Sequence, residues 1–186
     1  MPRASNRKVW WRCSRDKHHV YEATVCHRTI MHSGCPFCAG QKLSVTNTLA
    51  AIAPALAREW HPTKNGTLTP ETVYGGGVRR VWWKCDKGPD HEWQDRVAHR
   101  TARNTPCPFC VGKRASVTNS LAALFPKVAA EWHRRRNGSL KPADVVAGSK
   151  DFAWWRCPLA HTWRGRVRDR TARGGACPVC ADAMRL

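Results

Sequence analysis

Hydrophobic positions recur along this chain with two different periods. Leu121, Leu124, Phe125 and Val128 fall at the three- and four-residue spacing of one helical face, which ends at Trp132. Pro126 cannot sit inside a continuous helix without removing a backbone hydrogen bond, so the pattern predicts two short helices with the proline opening the second. Asn119, or Thr118, is placed to cap the first, and Asn137-Gly138 breaks the structure beyond the second. Between His91 and Cys107 the period is two. Trp93, Asp95 and Val97 alternate with Gln94, Arg96 and Ala98 before a polar turn, which predicts a short β-hairpin between the histidine and the next cysteine pair. "HTWRGRVRDRTARGGAC" repeats the pattern with a Gly-Gly turn.

These two patterns belong to a longer repeat. "VWWRC", "VWWKC" and "AWWRC" place Trp10, Trp82 and Trp154 at separations of 82 − 10 = 72 and 154 − 82 = 72 residues. Each is followed by a CxxC containing proline: "CPFC", "CPFC" and "CPVC". The text between them repeats as well, "SVTNTLAAIAPALAREWHPTKNGTLTPE" becoming "SVTNSLAALFPKVAAEWHRRRNGSLKPA". The expected organisation is a first module over 8–40, a helical connector over 41–78, a second module over 79–112, a second connector over 113–150 and a third module over 151–186.

The repeat also identifies a ligand set. Two cysteines flanking a proline-containing knuckle are half of a tetrahedral metal site. Comparing the copies supplies the rest: Cys13, His19, Cys35 and Cys38; Cys85, His91, Cys107 and Cys110; Cys157, His161, Cys177 and Cys180. His18 lies one residue out of register with His91 and is the alternative to His19. These sites take nine of the ten cysteines; Cys26 is replaced by Ala98 and Arg168 in the other copies and is expected to be a free thiol. Mixed sulfur and nitrogen donors point to three structural zinc ions, ahead of disulfides or a redox role. Each module has too few residues between its ligands to bury a self-sufficient core, and metal binding on the order of ten kcal/mol per site can supply the deficit. A metal-binding loop, a hairpin and a second knuckle make a small zinc-stabilised α+β fold, either a zinc ribbon or a treble clef. The distinction is whether a helix starts at the second knuckle, and the early glycine in "CPFCAGQKLSV" keeps any such helix short.

Charge then indicates a partner. The 186 residues carry 32 Lys+Arg against 13 Asp+Glu, a formal charge of +19. Three Zn²⁺ with nine thiolates change this by 6 − 9 = −3, to about +16, so the protein stays strongly basic. Such a field attracts polyanions, nucleic acid first. No apolar run reaches the length of a membrane span, "LAAIAPALA" being short and interrupted by Pro54, and the N-terminus lacks the apolar core of a signal peptide. A reducing cytoplasm is the expected compartment, with nucleoid association if the partner is DNA.

The pattern WW[RK]C…HxW…RT…CPxC, joined by SLAxxxPxxAxEWHxxxNGxLxP, resembles the tandem "probable zinc-ribbon" domains grouped with treble-clef fingers, from Val9 to about Cys180. The resemblance implies the metal sites above and an association with nucleic acids; relatives sometimes accompany nuclease domains. The chain departs from the pattern where Tyr21 replaces the tryptophan after the histidine, and where the third module is followed by no connector.

Candidate nucleic-acid contacts are Arg28, Arg100 and Arg170, which repeat before a threonine, and Arg12, Lys84 and Arg156, which precede each first cysteine. Arg96, Arg103, Arg166, Arg168 and Arg173 add to the second and third modules, with Arg164 and the run Arg134–Arg136. Guanidinium groups bind phosphate and guanine edges. The alternative for the repeated arginine is a strut within each module, with Glu59 and Glu131 as its partners. The tryptophans could stack on bases. The favoured reading has the second of each pair packing on the metal knuckle and Trp60 and Trp132 pinning the connectors. The sequence thus points to a monomeric, non-catalytic binder of nucleic acid, duplex DNA ahead of structured RNA, with no membrane role. A scaffold docking an acidic partner, such as a polymerase or nuclease subunit, is the alternative.

Overall fold

The computed structural model describes residues 4–172 and 174–183. Two compact units share the chain: Met1–Lys84 with Glu92–Thr105, and Cys85–His91 with Pro106–Leu186.

In the first unit, β1 (Lys8–Arg12) pairs antiparallel with β2 (Val20–Thr24), Trp10 facing Glu22 and Trp11 facing Tyr21. Helix α1 (Val25–Thr29) follows directly, its N-cap Thr24 accepting from the His27 amide. The connector then forms α2 (Leu49–Ile52) and α3 (Pro54–Ala57). After it come β3 (Arg80–Lys84) and β4 (Glu92–Arg96), paired antiparallel with Trp83 opposite Trp93, and α4 (Val97–Thr101). The second unit repeats the order with α5 (Leu121–Leu124), α6 (Pro126–Ala130), a 3-10 turn (Pro142–Asp144), β5 (Phe152–Arg156), β6 (Thr162–Arg166) and α7 (Val167–Ala172). It ends on α8 (Pro178–Ala183).

The two connector helices broken at proline are present, Pro54 and Pro126 each opening the second. Their caps differ from expectation. Thr48 and Ser120 accept from the amides of Ala51 and Ala123, while Asn119 holds the backbone of Ser116, Phe109 and Arg114. The side-chain amide is consumed in ordering the turn before the helix, which leaves capping to the hydroxyl one residue on.

The hairpin needs a larger correction. Only one strand lies between each histidine and the next CxxC. It pairs backwards with the Trp-Trp strand, so that the Cys–His loop is the hairpin turn. The alternation stops at Arg96 because the Val97 and Ala98 amides donate to Arg79 and Gly77 carbonyls at 3.1 and 2.8 Å, bending the chain into α4. Helical spacing then turns both Val97 and Arg100 inward, which a continued strand would not do.

Each connector supplies a third, one-bridge strand to the hairpin that follows it. The His61 amide donates to the Trp82 carbonyl at 3.1 Å, the Lys84 amide to Glu59 at 2.7 Å, and Trp60 bridges Trp83. The Asn65 side chain completes the edge, accepting from the Trp82 amide at 2.8 Å and donating to its carbonyl at 3.0 Å. His133, Glu131, Trp132 and Asn137 make the same bonds to Trp154, Arg156 and Trp155. The core therefore lies between connector and hairpin. Trp83 and Trp155 are fully buried, each meeting the connector tryptophan edge-on at 5.9 and 5.3 Å. They pack on the connectors, where the sequence pointed to the metal knuckle. Leu121, Trp132, Val145, Ala153, Trp155 and Val167 form one such cluster. Among the described residues no helix is long and apolar enough to cross a membrane.

Candidate metal centres

Each knuckle brings one histidine and three cysteines together, the donor atoms of every set lying within 4.8 Å of one another. The sets are Cys13, His19, Cys35 and Cys38; Cys85, His91, Cys107 and Cys110; Cys157, His161, Cys177 and Cys180. His18 is exposed and His19 buried, which decides between them. Local chain geometry explains the convergence. The Cys–His loop is closed by the amide of the first cysteine donating to the histidine carbonyl, at 3.0 Å in all three modules. The second knuckle curls because the residue after its last cysteine donates to the carbonyl of the first, as in Ala39 to Cys35 at 3.0 Å and Ala181 to Cys177 at 2.9 Å.

The spacing fits zinc. Tetrahedral geometry with Zn–S of about 2.3 Å and Zn–N of about 2.05 Å requires S···S near 3.8 Å and S···N near 3.5 Å. Cys13–Cys38, Cys85–Cys110 and Cys157–Cys180 sulfurs are 3.6, 3.6 and 3.8 Å apart. In every site Nδ1 is the histidine atom facing the sulfurs, at 3.5 and 3.7 Å for His19, 3.6 and 3.8 Å for His91, and 3.3 to 3.7 Å for His161. Crowding and burial of the thiols show what the ion does for the site. The neighbouring Cys13 thiol pushes Cys38 up to about 11, and burial pushes Cys110 up to about 12 and Cys180 up to about 11. A divalent cation offsets both the crowding and the burial of the thiolates, and its chemistry here is to fix four thiolate and imidazole donors in one place.

Support around the ligands was not recognised in the sequence. His19 Nε2 lies 2.9 Å from Ser44 Oγ and 3.1 Å from Thr46 Oγ1; His91 Nε2 lies 3.2 Å from Ser116 Oγ and 2.9 Å from Thr118 Oγ1. Phe37 and Phe109, from the middle of each CPFC, stack on these imidazoles at 5.0 Å. The signal was the "SVTN" that opens both connectors, in the first two copies only. The third site has Val179 at the phenylalanine position, and no described residue bonds His161 Nε2.

The basic candidates divide. Arg100 and Arg170 are 2% and 8% exposed, so they are struts and not surface contacts. Arg100 donates to Glu59 at 2.6 Å and lies 5.0 and 5.1 Å from the Trp83 and Trp93 rings; Arg170 does the same with Glu131 at 2.5 Å, Trp155 and Trp163. The glutamates that precede the connector tryptophans thus hold the repeated arginine. Arg28 is half-buried, over Trp11 and Tyr21, with Nη1 donating to the Ser33 carbonyl. Arg12, Lys84, Arg96, Arg103 and Arg156 are exposed. Arg166 lies over Phe152 with Arg164, and Arg168 is 3.7 Å from Asp169. Arg173 lies outside the described residues. Lys64 bonds Glu92 and holds its carboxyl down at about 2, beside Lys84 at 3.3 Å. Cys26 is a free, half-buried thiol outside all three sites.

The model of the family described as "Probable Treble clef zinc finger domain" matches three times, over residues 1–41, 56–113 and 128–183. No curated protein matches the chain significantly. The second and third matches take in the Glu-Trp-His segment that completes the following hairpin, so the family unit coincides with the packing unit seen here. The chain is a member of the probable treble clef zinc finger family, built as three tandem zinc modules.

Proposed function

We propose that the protein binds nucleic acid without catalysing a reaction on it, double-stranded DNA ahead of structured RNA. One observation carries this reading. In the second unit Lys127, His133, Arg134, Arg135 and Arg156 line a single groove beside the third zinc site, and its one carboxylate, Glu131, is already taken by Arg170. Three arginines and a lysine facing one concave surface suit a phosphate backbone, where each guanidinium replaces condensed counterions. Arg156 belongs to the triplet Arg12, Lys84 and Arg156, exposed in all three modules, so further contacts can act through effective concentration on one polyanion. Four protein donors in each site leave no coordination position for a substrate, which supports a binding role over a catalytic one.

The test is binding of the zinc-loaded chain to duplex DNA, single-stranded DNA and duplex RNA across a salt series. Log affinity for duplex DNA should fall with log salt at about −0.9 per phosphate contacted. Replacing Arg134, Arg135 and Arg156 by Gln should reduce that slope by about 2 to 3. Weak binding to all three polymers at physiological salt would overturn the proposal and assign the charge to a protein partner.

A further inference from the structure

Among the described residues, the first module lacks a contact that the other two possess. In those modules the strand bearing the Trp-Trp pair is covered on its outer edge by the segment Glu-Trp-His-x3-Asn. Among the described residues strand β1 pairs with β2 alone. No such segment precedes it among the described residues.

The surface left open is already shaped to receive one. Trp11 stands as Trp83 and Trp155 do, its Nε1 donating to the Ala23 carbonyl at 3.0 Å as theirs donate to Asp95 and Gly165. It is half-buried where they are fully buried, and no described indole meets it edge-on. Arg28 stacks on Trp11 and Tyr21 as Arg100 stacks on Trp83 and Trp93, yet no described carboxylate reaches it. Trp10 is 73% exposed, whereas Trp82 and Trp154 lie beneath Lys64 and Arg136 at 4.7 and 4.4 Å. Its main-chain amide and carbonyl occupy the positions that Asn65 and Asn137 bond in the later modules.

We infer that the β1 edge is a docking site for a protein segment carrying Glu-Trp-His-x3-Asn or its chemical equivalent. That segment adds by strand augmentation. Its tryptophan fills the space against Trp11, its carboxylate neutralises Arg28, and its asparagine closes on the Trp10 main chain. Every element of the recognition is copied from contacts made twice within the same chain. The inference does not rest on nucleic-acid binding.

The test uses the zinc-loaded full chain and a fluorescein-labelled peptide of residues 56–67, followed by anisotropy. The later hairpins are already occupied by tethered segments, so the peptide should saturate at one per chain. Trp60→Ala in the peptide should weaken binding at least tenfold, and Glu59→Gln should weaken it severalfold. Neither change can disturb the folding of the chain. Trp10→Pro in the chain should also weaken binding at least tenfold, since proline removes an edge amide that faces away from β2 and is tolerated on such an edge. Absence of saturable binding, more than one peptide per chain, or affinity unchanged by Trp60→Ala would overturn the inference.

Discussion

Glu59→Gln tests the idea that the repeated arginine is a strut. The substitution removes the charge opposite Arg100 and keeps an oxygen that accepts from the guanidinium. Arg100 is 2% exposed, between two indoles, with its Nη2 2.6 Å from the carboxylate. Removing one partner of a buried pair costs about 3–5 kcal/mol. The Glu59 side chain is 33% exposed and the amide still bonds, so the expected loss is about 2 kcal/mol. Arg100→Met removes the buried charge with its desolvation cost and should cost less, about 1 kcal/mol. The double variant should then resemble Arg100→Met alone, giving a coupling of about 2 kcal/mol. The assay is native-state hydrogen exchange of the β3 and β4 amides at fixed free zinc. A loss of 2 kcal/mol reads as roughly 30-fold faster opening. Additivity within about 0.5 kcal/mol would refute the reasoning, because the carboxylate would then do nothing for the guanidinium. Arg100→Met should leave duplex-DNA affinity unchanged, separating strut from contact.

The chain should bind three zinc ions and Cys110→Ser two, by mass spectrometry under native conditions; unchanged stoichiometry would contradict the assignment of Cys110 as a ligand. The third site should release its metal first to a chelator, since among the described residues His161 has neither the hydroxyl partners nor the stacked phenylalanine of the other two; equal release from all three would sink this. Thr118→Val should speed release from the second site about tenfold, measured in the same chase. Trp132→Ala should cost about 3–5 kcal/mol in the opening of β5, because it empties the space beside the fully buried Trp155; normal protection of the β5 amides would show the indole is dispensable.

The metal sites were legible in the sequence because their signal is internal: three copies at one period fix which histidine answers which cysteine, even where the Cys-to-His spacing shortens from 91 − 85 = 6 to 161 − 157 = 4. The proline-broken connector helices were legible for a local reason, the missing amide of Pro54 and Pro126. The false hairpin arose because alternation through Val97 and Ala98 fits a strand equally well. What diverts the chain there is a pair of tertiary bonds to Arg79 and Gly77, which no local pattern carries. The fate of the repeated arginine was equally hidden. A basic residue conserved between copies suits a phosphate contact and a strut alike, and only the placement of Glu59 and Glu131 against it decides. Thr118 reads as a helix cap beside Asn119, and the placement of its hydroxyl and that of Ser116 against His91 follows from the curl of the knuckle that precedes them.

Each connector is pinned at both ends, by Ser-x-Thr to the histidine behind it and by Glu-Trp-His-x3-Asn to the hairpin ahead. Its length is therefore a gauge, and the span it sets from Ser44 to Trp60, 60 − 44 = 16 residues, recurs from Ser116 to Trp132, 132 − 116 = 16. A residue inserted in the connector would throw one of its two grips out of step. The Cys–His loop has no such duty and has already lost two residues in the third copy without losing its donors. Growth by whole repeats disturbs no existing grip, since each new copy arrives with the same pair of holds. In such an array the number of modules is free to vary while the span of each connector is not.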